Sequence, residues 1–272
     1  MIKLFFIIIV FFQFTWGNTI LFSKIENIIG KENYAIHKKL IEHLFKDEYK
    51  FIINEKIKYV PLFSVLKNNG LINLRYEKPQ NTILKFSVTS RPKLAYKILN
   101  DTLKGLGYRY FLTKEFKQNH NRSFEWIIEF RSEYMVDPLI LSKELQQKNC
   151  KITNVENQAS NHWCYDLDFS EAILSEAKKI QTNEKVKFQK PLQGYLLMVD
   201  DVKTLQVIGR NLNTWYPHIV FFSKDLQVID VIKKERIYKG FTTKVPKDTK
   251  YIKITDLYNL INIKRGLSVI VK

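Results

Sequence analysis

The stretch FTTKVPKDTKYIKITD, residues 241–256, decides how the C-terminal third of this chain is read. Phe241 to Val245 is a short strand-forming run, Pro246 to Asp248 carries turn residues, and Tyr251 to Ile254 is a second run, entered from Lys250. Strand, turn, strand at this spacing reads as two successive short strands of an all-β region. Working outward from it, similar runs recur at Tyr195–Val199, Thr204–Ile208, His218–Phe222, Leu226–Ile232 and Leu267–Val271. Turn signals separate them at Asp200-Asp201, Gly209, Lys224-Asp225, Gly240 and Arg265-Gly266. Seven closely spaced strands without a helical stripe predict a β-sandwich or jelly roll over residues 192–272.

Upstream the texture changes to helices alternating with strand pairs. Pro61, Pro92 and Pro138 each open an apolar helical pattern, at a position where the missing N–H costs nothing. Runs at Leu71–Tyr76 and Ile83–Val88 follow the first helix, and Tyr108–Leu112 and Phe124–Phe130 follow the second. Lys151–Val155 and Trp163–Phe169 follow the third. Three helix–strand–strand units predict an α+β sandwich of ferredoxin-like character over residues 59–169. Residues 18–58 read as a leading segment with a packing helix at Lys31–Phe45. Residues 170–191 read as a helix, Ser170–Ile180, followed by a linker.

The N-terminus carries a targeting pattern. A basic start at Lys3, an apolar run from Leu4 to Phe12, and small residues at Thr15 and Gly17 predict a cleavable secretory signal over residues 1–17. The run is shorter than the roughly 20 apolar residues of a membrane-spanning helix. The expectation is therefore a periplasmic protein with no integral span after cleavage.

The formal charge of +17 would favour anionic partners. Lysine far outnumbers arginine, however, and the excess is spread along the chain rather than gathered into an arginine-rich groove, so nucleic acid is not the expected partner. Cys150 and Cys164, an even pair in a chain read as exported, are expected to form a disulfide across a hairpin centred near Asn157; reduced thiols are the alternative.

Enzymatic motifs are missing from the sequence. There is no Gly-x-Ser-x-Gly elbow, His-Glu-x-x-His helix or phosphate-cradling glycine loop, and the five histidines are scattered. His162 and Cys164 are two residues apart, but two ligands do not make a zinc site. Asp200, Asp201 and Asp256 are turn or strand-end carboxylates of the kind that hold calcium in some jelly rolls, though Asp is a favoured turn residue in its own right. No cofactor or metal is expected. The ligand candidates are Trp215 and Tyr216 with Arg210, Asn211 and Asn213: an aromatic ring beside amides suits a sugar, and the same ring could instead plug the sandwich. Asn121-Arg122-Ser123 matches the minimal N-glycosylation triplet, but modification is not expected.

Residues 241–256 resemble the late strands of galactose-binding-like jelly rolls, a fold used in carbohydrate-binding modules. By its signal, composition and domain texture, the whole chain resembles hypothetical periplasmic proteins of epsilon-class Gram-negative bacteria. These resemblances imply a non-enzymatic envelope protein that binds glycan or a protein partner through the C-terminal sandwich. A structural subunit of a secretion, pilus or motor assembly is the alternative, and an envelope hydrolase ranks third.

Overall fold

The computed structural model describes residues 20–118 and 123–272. The expected signal and most of the glycosylation triplet lie outside these residues. The fold is mixed α+β and divides into two compact units, the first ending at Ile173 and the second running Leu174–Lys272. No helix of the described residues is long and apolar enough to cross a membrane.

Unit 1 begins with α1 (residues 20–29), α2 (Lys31–Leu44) and a small ribbon, β1 (Ile52–Ile53) and β2 (Lys56–Ile57). Then follow α3 (Tyr59–Asn68), β3 (Arg75–Val88), α4 (Pro92–Gly105), β4 (Leu112–Gln118), β5 (Phe124–Tyr134), α5 (Pro138–Gln146), β6 (Lys151–Ala159) and β7 (His162–Asp168). Helices α4 and α5 start at Pro92 and Pro138 as expected, and α3 starts at Tyr59, two residues before Pro61. Asp137 caps α5 by accepting from the amides of Leu139 (2.9 Å) and Ile140 (3.3 Å), with Pro138 in the first turn. In α3, Tyr59, Leu62, Phe63 and Leu66 are buried, which is one face at helical spacing.

The five strands lie in the order β4-β5-β3-β7-β6, with β3 antiparallel to β5 and parallel to β7. Leu84, Phe86, Trp126, Ile128 and Tyr165 are fully buried on one face of this sheet. Helices cover that face: Tyr96 of α4 lies 5.0 Å from the Trp126 ring, and Phe63 of α3 lies 6.4 Å from Trp163.

Several expectations for this unit need correction. The runs Leu71–Tyr76 and Ile83–Val88 are not two strands joined by a turn. Residues 75–88 form the single strand β3, and the register shift between Arg75 and Gln80 absorbs Pro79 as a bulge would. Tyr108–Phe111 is irregular, and β4 starts only at Leu112. The Ser170–Ile180 helix does not form. Arg91, which precedes α4 with a left-handed φ of 54°, donates to the carbonyls of Phe169, Ser170 and Ala172 and draws them away from helical hydrogen bonds.

The disulfide is also overturned: Cys150 and Cys164 are free, buried thiols. The β6–β7 hairpin turns after Ala159, which faces His162, rather than near Asn157. Glu156 therefore faces Cys164, while Lys151, beside Cys150, faces Asp168. Along a strand that offset is about 20 Å, far beyond the roughly 7 Å limit for a bridge.

Unit 2 is all strand apart from one short 3-10 turn. Its strands are β8 (Lys178–Lys179), β9 (Lys185–Lys187), β10 (Tyr195–Met198), β11 (Thr204–Gly209), β12 (Pro217–Ser223), β13 (Val228–Lys233), β14 (Gly240–Lys244), β15 (Thr249–Asp256) and β16 (Leu267–Val271). One sheet has the order β13-β12-β15-β10-β8 and the other β14-β11-β16-β9. Leu197, Ile219, Phe221, Ile252 and Ile254 of the first sheet share one core with Leu205, Val207, Leu267 and Val269 of the second. The seven expected runs all appear, while β8 and β9 arise inside the segment expected to be helix and linker.

Candidate functional site

Three strand ends meet at one end of the four-stranded sheet of unit 2. Gly209, the last residue of β11, pairs with Leu267, the first of β16, and Phe188, just after β9, donates to the Leu267 carbonyl at 2.8 Å. The residues beyond these ends, Gln189, Lys190, Arg210, Asn211, Lys264 and Arg265, line a cleft of about 430 Å³.

The turn before β16 can approach this closely because of Gly266. Its φ is +87°, and a Cβ there would lie 2.0 Å from the Phe188 carbonyl oxygen, so only glycine fits. Asn213 holds the turn from the other side. Its Nδ2 donates to the Gly266 carbonyl at 2.8 Å, and its Oδ1 accepts from the Arg265 amide at 3.3 Å. Below the cleft, the Tyr195 hydroxyl donates to the Gln189 carbonyl at 2.6 Å. Burial raises the Tyr195 phenol to about 12, against an opposing pull from the Arg210 charge.

Four of the six lining side chains are cationic, and none of the four is in an ion pair among the described residues. The cleft thus concentrates positive charge with an amide on either side. Guanidinium forks and amides together suit carboxylate, phosphate or sulfate oxygens flanked by hydroxyls.

The structure divides the five ligand candidates. Arg210 and Asn211 line the cleft, and Asn213 positions its wall. Trp215 is elsewhere: its ring is fully buried in the core and its indole N–H donates to the Thr255 carbonyl at 3.0 Å. Of the two readings of this ring, ligand platform and plug, its burial fits the plug. Tyr216 is half-buried, edge-on to Tyr258 at 4.9 Å, away from the cationic cleft. Lys190, Lys264 and Arg265 were missed as ligand residues because they read only as parts of turns and a linker.

The other chemical candidates are otherwise engaged. Asp256 is buried; its Oδ2 accepts from the Tyr216 amide at 2.8 Å. Its Oδ1 accepts from the amides of Tyr258 and Asn259, both at 2.9 Å, and from Asn262 Nδ2 at 3.0 Å. Asp200 is paired with Lys250 and, at 3.7 Å, with Lys179; the bond to Lys250 lowers its proton affinity first. Among the described residues, no three His, Cys, Asp or Glu side chains gather as a metal site. His162 Nε2 lies 3.9 Å from Cys164 Sγ, but burial pushes the thiol up and the imidazole down, which favours the neutral form of both.

Comparison with protein-family models, curated proteins and solved structures returned no match to this chain.

Proposed function

We propose that this is an exported, non-enzymatic periplasmic protein whose C-terminal unit binds acidic glycan of the cell envelope in the Arg210–Arg265 cleft. The observation that carries this reading is the set of four unpaired cations and two amides grouped around a turn that Gly266 and Asn213 hold in place. A diffuse lysine surface would attract anions without orienting them, whereas a walled cleft with arginine forks can do both.

The unit itself is read as a jelly roll. The orders β9-β16-β11-β14 and β10-β15-β12-β13 alternate successive strands between sheets except at the β12–β13 hairpin, in the way two interleaved Greek keys require, which supports that reading. The order β4-β5-β3 around α4 and α5 supports a ferredoxin-like parentage for unit 1, with a hairpin replacing the final strand. The targeting pattern of residues 1–17 supports export.

The test is co-sedimentation with peptidoglycan sacculi at low and physiological salt. The Arg210→Glu/Arg265→Glu protein should lose pelleting at both, while Lys239→Glu/Lys247→Glu, reversed at exposed lysines outside the cleft, should keep it. Equal loss in the two variants would reduce the interaction to net charge, and no pelleting by the parent would remove the glycan. An assembly-subunit role is the second reading, favoured by the exposed β4 margin of the unit 1 sheet, which no strand covers among the described residues.

A further inference from the structure

The two margins of the unit 1 sheet are treated differently. At β6, α1 lies close: Lys24 Nζ donates to Asn154 Oδ1 at 2.7 Å, and Asn157 donates to Asn27 Oδ1 at 3.2 Å and to the Ile28 carbonyl at 2.9 Å. At the other margin, β4 is exposed at every position but Glu115. As the last strand of its sheet it carries outward N–H and C=O groups with no strand beside them among the described residues.

Around the start of β4, and reaching inward across β5 to β3, is an apolar and cationic groove. Asn81, Arg109, Tyr110, Leu112, Glu129 and Arg131 line a cleft of about 530 Å³. Tyr110 is 93% exposed and Leu112 70%, which is unusual for side chains of this size. Glu129 is already held by Lys114 at 2.9 Å and by Asn81 at 2.8 Å. Arg109 and Arg131 have no acidic partner among the described residues, so the uncompensated charge of the groove is positive.

We propose that the β4 margin docks an extended, acidic segment of a partner protein as a sixth strand. Its main chain pairs with the free ladder of β4, its apolar side chains lie on Tyr110 and Leu112, and its carboxylates engage the forks of Arg109 and Arg131. A second copy of this chain is the poorer occupant, because a chain of charge +17 repels its own like.

The experiment uses the full chain, isotope-labelled for amide NMR, and three short fluorescent peptides. One alternates valine with glutamate, one is the same peptide N-methylated at alternate residues, and one alternates valine with lysine. The glutamate peptide should bind and shift the amides of residues 109–118. N-methylation, which removes strand pairing, should weaken it about tenfold or more, and so should Arg109→Glu/Arg131→Glu at unchanged thermal stability. The lysine peptide should not bind. The proposal is overturned if the methylated peptide binds equally, if the shifts fall in the cleft of unit 2, or if the double variant binds as the parent does. It also fails if the β4 amides shift with protein concentration alone, which would make a second copy the occupant.

Discussion

Trp215 donates its indole N–H to the carbonyl of Thr255, 3.0 Å away, from a position with no solvent exposure. The bond ties the start of β12 to its neighbour β15 and satisfies the one polar atom of a large core ring. Trp215→Ala should therefore destabilise unit 2 by about 3–5 kcal/mol, the usual cost of removing a buried Trp or Phe side chain. Trp215→Phe keeps most of the apolar volume and loses only the indole's bond to the Thr255 carbonyl, which still faces His218 in the β12–β15 ladder, at a cost of about 0.5–1.5 kcal/mol. Chemical denaturation checks both. A stable Trp215→Ala protein that had lost only ligand binding would return the ring to the site.

Asp256 is a second tie between the same loops, with four donors converging on one buried carboxylate. Asp256→Ala strands the amides of Tyr216, Tyr258 and Asn259 in a half-buried turn, and a loss of about 3 kcal/mol or more is expected. Adding calcium should not alter the parent's melting temperature, since these oxygens already face donors. A calcium-dependent rise in that temperature would count against the structural role.

The thiols offer a chemical check of the β6–β7 register. Burial pushes Cys150 up to about 12 and raises Cys164 as well, so neither is an active nucleophile at neutral pH. Intact mass should show two free thiols even after export. Alkylation should be slow in the native protein and rapid in denaturant, and a reductant should leave the melting temperature unchanged. A mass two hydrogen atoms lighter would mean that the hairpin pairs in another register.

How much of this was legible in the chain follows from what a linear pattern can encode. Most of the seven strands from Tyr195 to Val271 were readable because a strand with one buried face alternates residue by residue, while β13 and β16 read instead as short apolar runs. Lys178-Lys179 and Lys185-Val186-Lys187 were not, because such short, lysine-rich strands have no room to alternate. Pro79, Gln80 and Asn81 imitate a turn, and only the partner strand reveals that β3 runs through them. Arg210, Asn211 and Asn213 were visible as a polar loop. Lys190, Lys264 and Arg265 join them only because β9, β16 and β11 are neighbours in one sheet, a fact of topology that local spacing does not carry.

His218 gives unit 2 a pH dependence whose sign can be worked out. It faces Lys233 of β13 and Thr255 of β15, with Lys253 nearby. Its pKa is lowered, first by burial and then by the charges of Lys233 and Lys253. In the unfolded chain the imidazole titrates near 6.5. As pH falls through that value the unfolded state takes up the proton first, so stability at this site declines until the lower native pKa is reached, and below it the loss is constant. Unit 2 should therefore melt at a lower temperature at pH 5.5 than at pH 7.5, and His218→Gln should reduce that drop. Salt screens the two lysines but not burial, so raising ionic strength should remove only the smaller part of the effect. If salt abolished the whole pH dependence, the lysines and not burial would be the dominant cause.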